Sequence, residues 1–118
     1  MKIAVSASGD NLDANVDSRF GRCSYFIIVE IERNEIKNHE IVSNQAVQAM
    51  RGAGIQAAKT VAKKGAEVVI TGNIGPNAFN VLSQTGIKVI TGVTGSVKEV
   101  VEKYLKGELK ETSSPNFF

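Results

Sequence analysis

Apolar positions along the chain fall into short runs of two different periods. Residues Lys2 to Ser6 (KIAVS) are almost wholly apolar, the pattern of a short strand buried on both faces at the centre of a sheet. Tyr25 to Glu32 and Glu35 to Ser43 are β-rich runs separated only by Arg33 and Asn34. Asparagine tolerates the positive φ of a tight turn, so these runs predict an antiparallel hairpin. The second run, EIKNHEIVS, is the more polar of the two, as suits an edge strand.

Beyond the hairpin, helical periods alternate with short strands. In IQAAKTVAKKG, Ile55, Ala58, Val61 and Ala62 share one helical face and Gly65 ends the run. Glu67 to Thr71 (EVVIT) is a short apolar strand, and in the following GNIGPNAFNVL Pro76 suits a first helical position, with Gly86 just past the end. Ile87 to Thr91 repeats the strand pattern. Ser96 with Glu99 then forms a capping-box signature ahead of an apolar stripe, Val97, Val100, Val101, Tyr104 and Leu105, closed by Gly107. The tail ELKETSSPNFF has no periodicity. Residues 1–109 are therefore expected to form one domain and 110–118 a mobile tail, whose Phe117 and Phe118 are free to dock on a neighbour.

The order is β, β-hairpin, α, β, α, β, α. Right-handed crossovers make the last two strands parallel neighbours, with the most apolar strand, the first, beside them. The expectation is an α/β fold with three helices and a five-stranded mixed sheet of order 3-2-1-4-5, strand 2 antiparallel, the arrangement of the ribonuclease H-like fold. A flavodoxin-like sheet would require a helix where the hairpin lies.

Composition narrows the function classes. A chain of 118 residues suits a single core. Its 14 basic and 12 acidic side chains are interspersed, for a net charge of +2, and no basic block of the kind that grips nucleic acid is present. The apolar run in MKIAVSASGD breaks at Gly9 and Asp10, short of a signal-peptide core, and no stretch approaches membrane-spanning length. A lone cysteine cannot form an internal disulfide, so a reducing cytoplasm is expected.

Strand directions bring four loops to one sheet edge: Ser8 to Cys23, Asn44 to Gly54, Gly72 to Gly75 and Gly92 to Gly95. Three of them feed helix starts, whose unpaired N–H groups carry partial positive charge, and the fourth carries Arg19 and Arg22. Such an edge suits an anion, although turn glycines also occur for conformational reasons alone and no loop is a GxxxxGK[ST] or GxGxxG motif.

No enzymatic activity is expected. A ribonuclease H-type nuclease needs carboxylates on its central strands. KIAVS and EVVIT offer only Glu67, at the wrong end, while Asp10, Asp13 and Asp17 read as turn residues of the first loop. A Cys–His pair would have to join Cys23 and His39. A two-residue turn puts Cys23 opposite Asn44 and His39 opposite Ile28, about 5 residues or roughly 17 Å along the hairpin. In DSRFGRCSYF, Cys23 reads either as a thiolate ligand favoured by cationic neighbours or as a small apolar strand cap.

RFGRCSYF after a first strand, GAG before a helix, VVITGNIGPNAFNVL, GIKVITG and the closing VKEVVEKYLKGEL resemble, in order and spacing, the dinitrogenase iron-molybdenum cofactor biosynthesis family in its small stand-alone, NifX-like form. The likeness runs from Lys2 to about Leu109. It implies a ribonuclease H-like fold and a non-catalytic carrier or scaffold for an iron-molybdenum or other metal-sulfur cluster or its precursor. Cofactor-assembly proteins are the implied partners, and a monomer or homodimer the implied state.

The family motif carries over Arg19, Phe20, Gly21 and Arg22, and Gly72, Gly75, Pro76 and Asn77. Cluster-holding members use cysteine or histidine, but short members can carry alanine at the Cys23 position, and one thiolate would need a second Cys23 from a dimer or help from Met50. The candidate cofactor-binding set is Ser8, Arg19, Phe20, Gly21, Arg22, Gly52, Gly54, Gly72, Asn73, Gly75, Asn77 and Gly95, with Cys23 as a candidate metal ligand. Rival readings are a metal-free binding module for a phosphorylated small molecule or nucleotide, and an interaction protein working through its edge strand.

Overall fold

A computed structural model describes residues 1–113. Its strands are β1 (Lys2–Ala7), β2 (Tyr25–Glu32), β3 (Glu35–Ser43), β4 (Val68–Ile70) and β5 (Lys88–Ile90), and its helices are α1 (Ala53–Lys63), α2 (Pro76–Gln84) and α3 (Val97–Leu105); a 3-10 turn spans Gln45–Gln48. The sheet order is β3-β2-β1-β4-β5. β2 is antiparallel to both its neighbours, and β4 and β5 run parallel to β1. The α/β class, strand order and three helices are those read from the sequence.

β1 is apolar on both faces because both are covered. On one face Ala4 joins Phe26, Ile28 and Val69 beneath α1 and α2, which contribute Ala57, Val61 and Leu82. On the other, Ile3, Val5 and Ala7 join Ile27, Val29 and Ile70 against Val97, Val100 and Val101 of α3. Two helices above the sheet and one below leave the carboxyl ends of β1 and β4 open to loops.

The hairpin turns on Arg33 (φ 55) and Asn34 (φ 63), two left-handed residues in succession, as a two-residue turn compatible with strand twist requires. The register differs from the simple count. Ile31 faces Ile36 but Glu30 faces Asn38, so Lys37 is an extra residue on β3, and His39 lies opposite Val29 rather than Ile28. A bulge of this kind bends the edge strand and increases its twist. Cys23 and His39 remain apart, since Cys23 precedes β2 whereas His39 pairs with Val29 in mid-strand, and His39 is exposed.

α1 begins at Ala53, two residues before the expected Ile55, because Gly52 enters the helix from φ 69. Beyond α3, Thr112 N–H donates to the Val89 carbonyl at 2.7 Å and its hydroxyl accepts from Thr91 N–H at 2.9 Å, so part of the segment expected to be mobile lies along the β5 edge. Phe117 and Phe118 lie outside the described residues. Among the described residues no helix is long and apolar enough to cross a membrane.

At the upper ends of β1 and β4 the Ser6 and Thr71 hydroxyls, both fully buried, lie 2.7 Å apart. Ser6 Oγ also donates to the Asp17 carbonyl at 2.8 Å, tying the loop after β1 to the sheet. Ser6→Ala is expected to destabilise the fold by about 1–3 kcal/mol, since it strands buried polar partners. Adding Thr71→Val should recover part of that loss, and urea denaturation of the two single variants and the double variant measures it.

Candidate functional site

A cleft of about 620 Å³ opens at this edge between the starts of α1 and α2 and the loop Ser18–Arg22. The loop is stitched to the β4–α2 turn: Phe20 N–H donates to the Asn73 carbonyl (3.1 Å), and Asn73 donates to the Ser18 carbonyl through its N–H (2.8 Å) and its Nδ2 (3.1 Å). Gly72 permits that seam, because a Cβ there would lie 2.6 Å from Ser18 Cα. The Phe20 ring is buried against Phe26 with centroids 5.1 Å apart, so Phe20 anchors the loop from below while its backbone forms cleft wall.

Two helix starts face the cleft uncapped. Gly52 before α1 and Gly75 before α2 supply no side-chain cap, and neither first turn holds an acidic residue. The first N–H groups to find intrahelical partners are Gln56, donating to Gly52, and Phe79, donating to Gly75. The N–H groups of Ala53, Gly54, Ile55, Asn77 and Ala78 therefore have no acceptor among the described residues. The two starts touch, since a Cβ on Gly54 would lie 3.1 Å from Ala78 Cβ. Gly75 has φ −78 and open space within 4 Å of its Cβ position, so neither backbone nor packing calls for glycine there.

The start of α3 is closed. Ser96 Oγ accepts from Glu99 N–H and Glu99 Oε1 accepts from Ser96 N–H, both at 3.1 Å. The Ser96 N–H bond to the carboxylate holds the Glu99 pKa below its usual range. Val97 and Lys98 N–H donate to the carbonyls of Ala14 and Leu12. The three helix starts expected to converge are therefore two.

The two arginines differ. Arg19 is largely exposed and pairs with Asp17, Nε to Oδ1 at 3.5 Å, while Asp17 Oδ1 also accepts the Arg19 N–H. Arg22 Nη1 donates to the carbonyls of Val47 (3.1 Å) and Ala49, and among the described residues it makes no ion pair. Asn44, buried and not singled out from the sequence, donates through Nδ2 to the carbonyls of Gly21 (3.1 Å) and Cys23 (2.9 Å) and caps the 3-10 turn through Oδ1.

Of the candidate residues, Arg19, Phe20, Gly21, Arg22, Gly52, Gly54, Asn73, Gly75 and Asn77 line the cleft, while Ser8, Gly72 and Gly95 do not. Ser8 Oγ donates to the Asn15 carbonyl, Gly72 is sealed against Ser18, and the Gly95 carbonyl accepts from Val16. Ser18, Ala53, Ile55, Ile74, Pro76 and Ala78 also line it; of these the sequence had drawn attention to Ile55 for its helical face and to Pro76 as a first helical residue and part of the family motif.

Cys23 requires a correction. It is fully buried, its Sγ donates to the Phe20 carbonyl at 3.3 Å, and it does not line the cleft. Burial, and secondarily the Asp17 charge, push its pKa up from 9.0 to about 12, the opposite of the lowering expected from cationic neighbours. Met50, the suggested helper, is 96% exposed and also outside the cleft. Among the described residues that line the cleft there is no carboxylate, thiol, imidazole or thioether. Among the described residues no group of three or more His, Cys, Asp and Glu could hold a metal ion.

Comparison with known proteins agrees with this architecture. The sequence profile of the family described as dinitrogenase iron-molybdenum cofactor matches residues 1–107. An uncharacterised protein of Methanocaldococcus jannaschii is 41% identical over 111 residues, which cover 94% of this chain and 91% of that protein. The apo form of the orange protein from Desulfovibrio gigas superposes with a TM-score of 0.92 at 40% identity, covering 98% of this chain and 96% of that one. A Thermotoga protein described as belonging to the DUF35 family gives a TM-score of 0.83 at 33% identity, covering 98% and 97%.

The state of Cys23 predicts its reactivity. In native protein at pH 8 the thiol should resist a thiolate-directed alkylating reagent and react only on unfolding. Because the folded pKa lies above the unfolded one, the thiol's contribution to stability is complete below about pH 9. It then falls by about 1.4 kcal/mol per pH unit toward pH 12. Cys23→Ala should remove that component from the alkaline stability profile.

Proposed function

The chain belongs to the dinitrogenase iron-molybdenum cofactor family, and from that premise we propose that the cleft carries a preassembled anionic metal-sulfur species, an iron-molybdenum type cofactor or its precursor. The observation that carries this reading is the pair of uncapped helix starts beside Arg22, at a cleft to which the described residues bring no soft ligating side chain. Helix starts and guanidinium attract an anion. Soft metals prefer thiolate, thioether or imidazole, and none lines the cleft. The cargo's own sulfides therefore complete its coordination, and the protein grips it from outside through N–H donors.

Such a hold is reversible, as a carrier or scaffold without catalysis requires. Two words used of the Desulfovibrio gigas relative, orange and apo, support a ligand that absorbs visible light. We take the sheet as ribonuclease H-like on its strand order and the direction of β2, and read the protein as cytoplasmic, acting as a monomer or homodimer with cofactor-assembly proteins. A second reading has one observation in its favour: Ile55, Ile74 and Pro76 give the cleft apolar walls that suit the ring of a phosphorylated small molecule or nucleotide.

Anaerobic incubation with tetrathiomolybdate, or with iron or copper, molybdate and sulfide, should leave coloured protein after gel filtration. Colourless protein under all these conditions, together with saturable nucleotide binding, would favour the second reading. Cys23→Ser should bind normally. Arg22→Ala should weaken binding by about 1.5–3 kcal/mol, and the more exposed Arg19→Ala by about 0–1 kcal/mol. Gly75→Ala should fold normally but bind less, its methyl occupying ligand space, and binding should weaken as ionic strength rises.

A further inference from the structure

Arg22 faces two structures at once. Arg22 is a cleft residue, and its Nη1 is spent on the carbonyls of Val47 and Ala49. The remaining donors, on Nε and Nη2, have no acceptor among the described residues. The segment that Arg22 grips is pinned at its other end by Asn44, which donates to the Gly21 and Cys23 carbonyls on either side of Arg22. Next along the chain come exposed Met50 and Arg51, and then Gly52, the cap of α1.

We infer that Arg22 is a latch coupling occupancy of the cleft to the segment Asn44–Arg51; this rests on the anion reading above. An anion that takes up the free donors of Arg22 fixes a side chain already bridging two carbonyls. The rotamer freedom of arginine is then lost once for both contacts. The loaded protein therefore holds the segment more tightly, and by thermodynamic reciprocity anything that loosens the segment weakens the grip on the anion. Met50 and Arg51, on the outer side of this segment, form a surface whose rigidity changes with load.

Backbone amide hydrogen exchange at Val47 and Ala49 tests the latch. These N–H groups donate to the carbonyls of Asn44 (3.1 Å) and Ala46 (2.9 Å), and neither residue lines the cleft, so a ligand does not shield them directly. In unliganded protein, Arg22→Lys keeps the charge but lacks the planar fork that spans two carbonyls. Exchange at both amides should rise about tenfold, the effect of one or two lost hydrogen bonds, with α1 and α2 unchanged. Equal exchange in the two proteins overturns the latch. In wild type, saturating tetrathiomolybdate should slow exchange at Val47 and Ala49 several-fold, and at matched saturation it should have no such effect in Arg22→Lys. Bound anion without slowing overturns the coupling. If neither tetrathiomolybdate nor the iron or copper mixtures with molybdate and sulfide bind, the anion reading and the coupling fall together, while the unliganded comparison still decides the latch.

Discussion

The site depends on one close backbone approach. Gly72, just past β4, lies against Ser18 with room for a hydrogen and nothing larger. That contact brings Asn73 into register to bind Ser18 and Phe20, and the loop after β1 is thereby fastened across the carboxyl edge of the sheet. Phe20 plugs into the core beneath, and the arginines on either side of the Phe20-Gly21 pair are held beside the starts of α1 and α2. Gly72 thus serves as the seam behind the cleft and is not one of its lining residues.

Leaving two helix starts open has an energetic cost that the third helix shows to be avoidable. A serine, threonine or aspartate cap is worth about 0.5–2 kcal/mol over a residue that supplies none, although glycine at the cap loses less. α3 uses Ser96 and Glu99 in that way. At α1 the left-handed φ of Gly52 explains the glycine, but at α2 Gly75 is in extended backbone with free space around it. A cap side chain would fit there and is absent. An open start of this kind is what the proposed anion reading requires of α2.

Much of this was legible in the sequence, for identifiable reasons. Short apolar runs, a two-residue turn and three helical stripes suffice for the sheet order. The bulge at Lys37 left no trace because one polar residue on an edge strand disturbs no apolar pattern. The glycine loops pointed to the edge at which the cleft opens. The Ser96–Glu99 capping box, itself visible in the sequence, already implied that the start of α3 was satisfied and that Gly95 lay elsewhere. The Arg22 contacts were beyond reach, since their acceptors are backbone carbonyls, which every residue possesses. Cys23 misled because adjacency in sequence does not fix direction: the arginine side chains turn to Asp17 and to the 3-10 turn, while the thiol turns into the core.

These directions determine the charge of the cleft. Asp17 offsets Arg19 and, with burial, keeps the Cys23 thiol protonated, so no thiolate beneath the loop cancels the positive edge. The Arg22 cation remains, reinforced by two helix starts that each act as roughly half a positive charge. A field of that size attracts a small polyanion but forms no bond to its metal atoms. Direct coordination by a buried thiolate would resist release, whereas N–H groups and a guanidinium can exchange a sulfide surface for water one contact at a time. On the proposed carrier reading, excluding the sulfur from the cleft is what would let the protein give its cargo up.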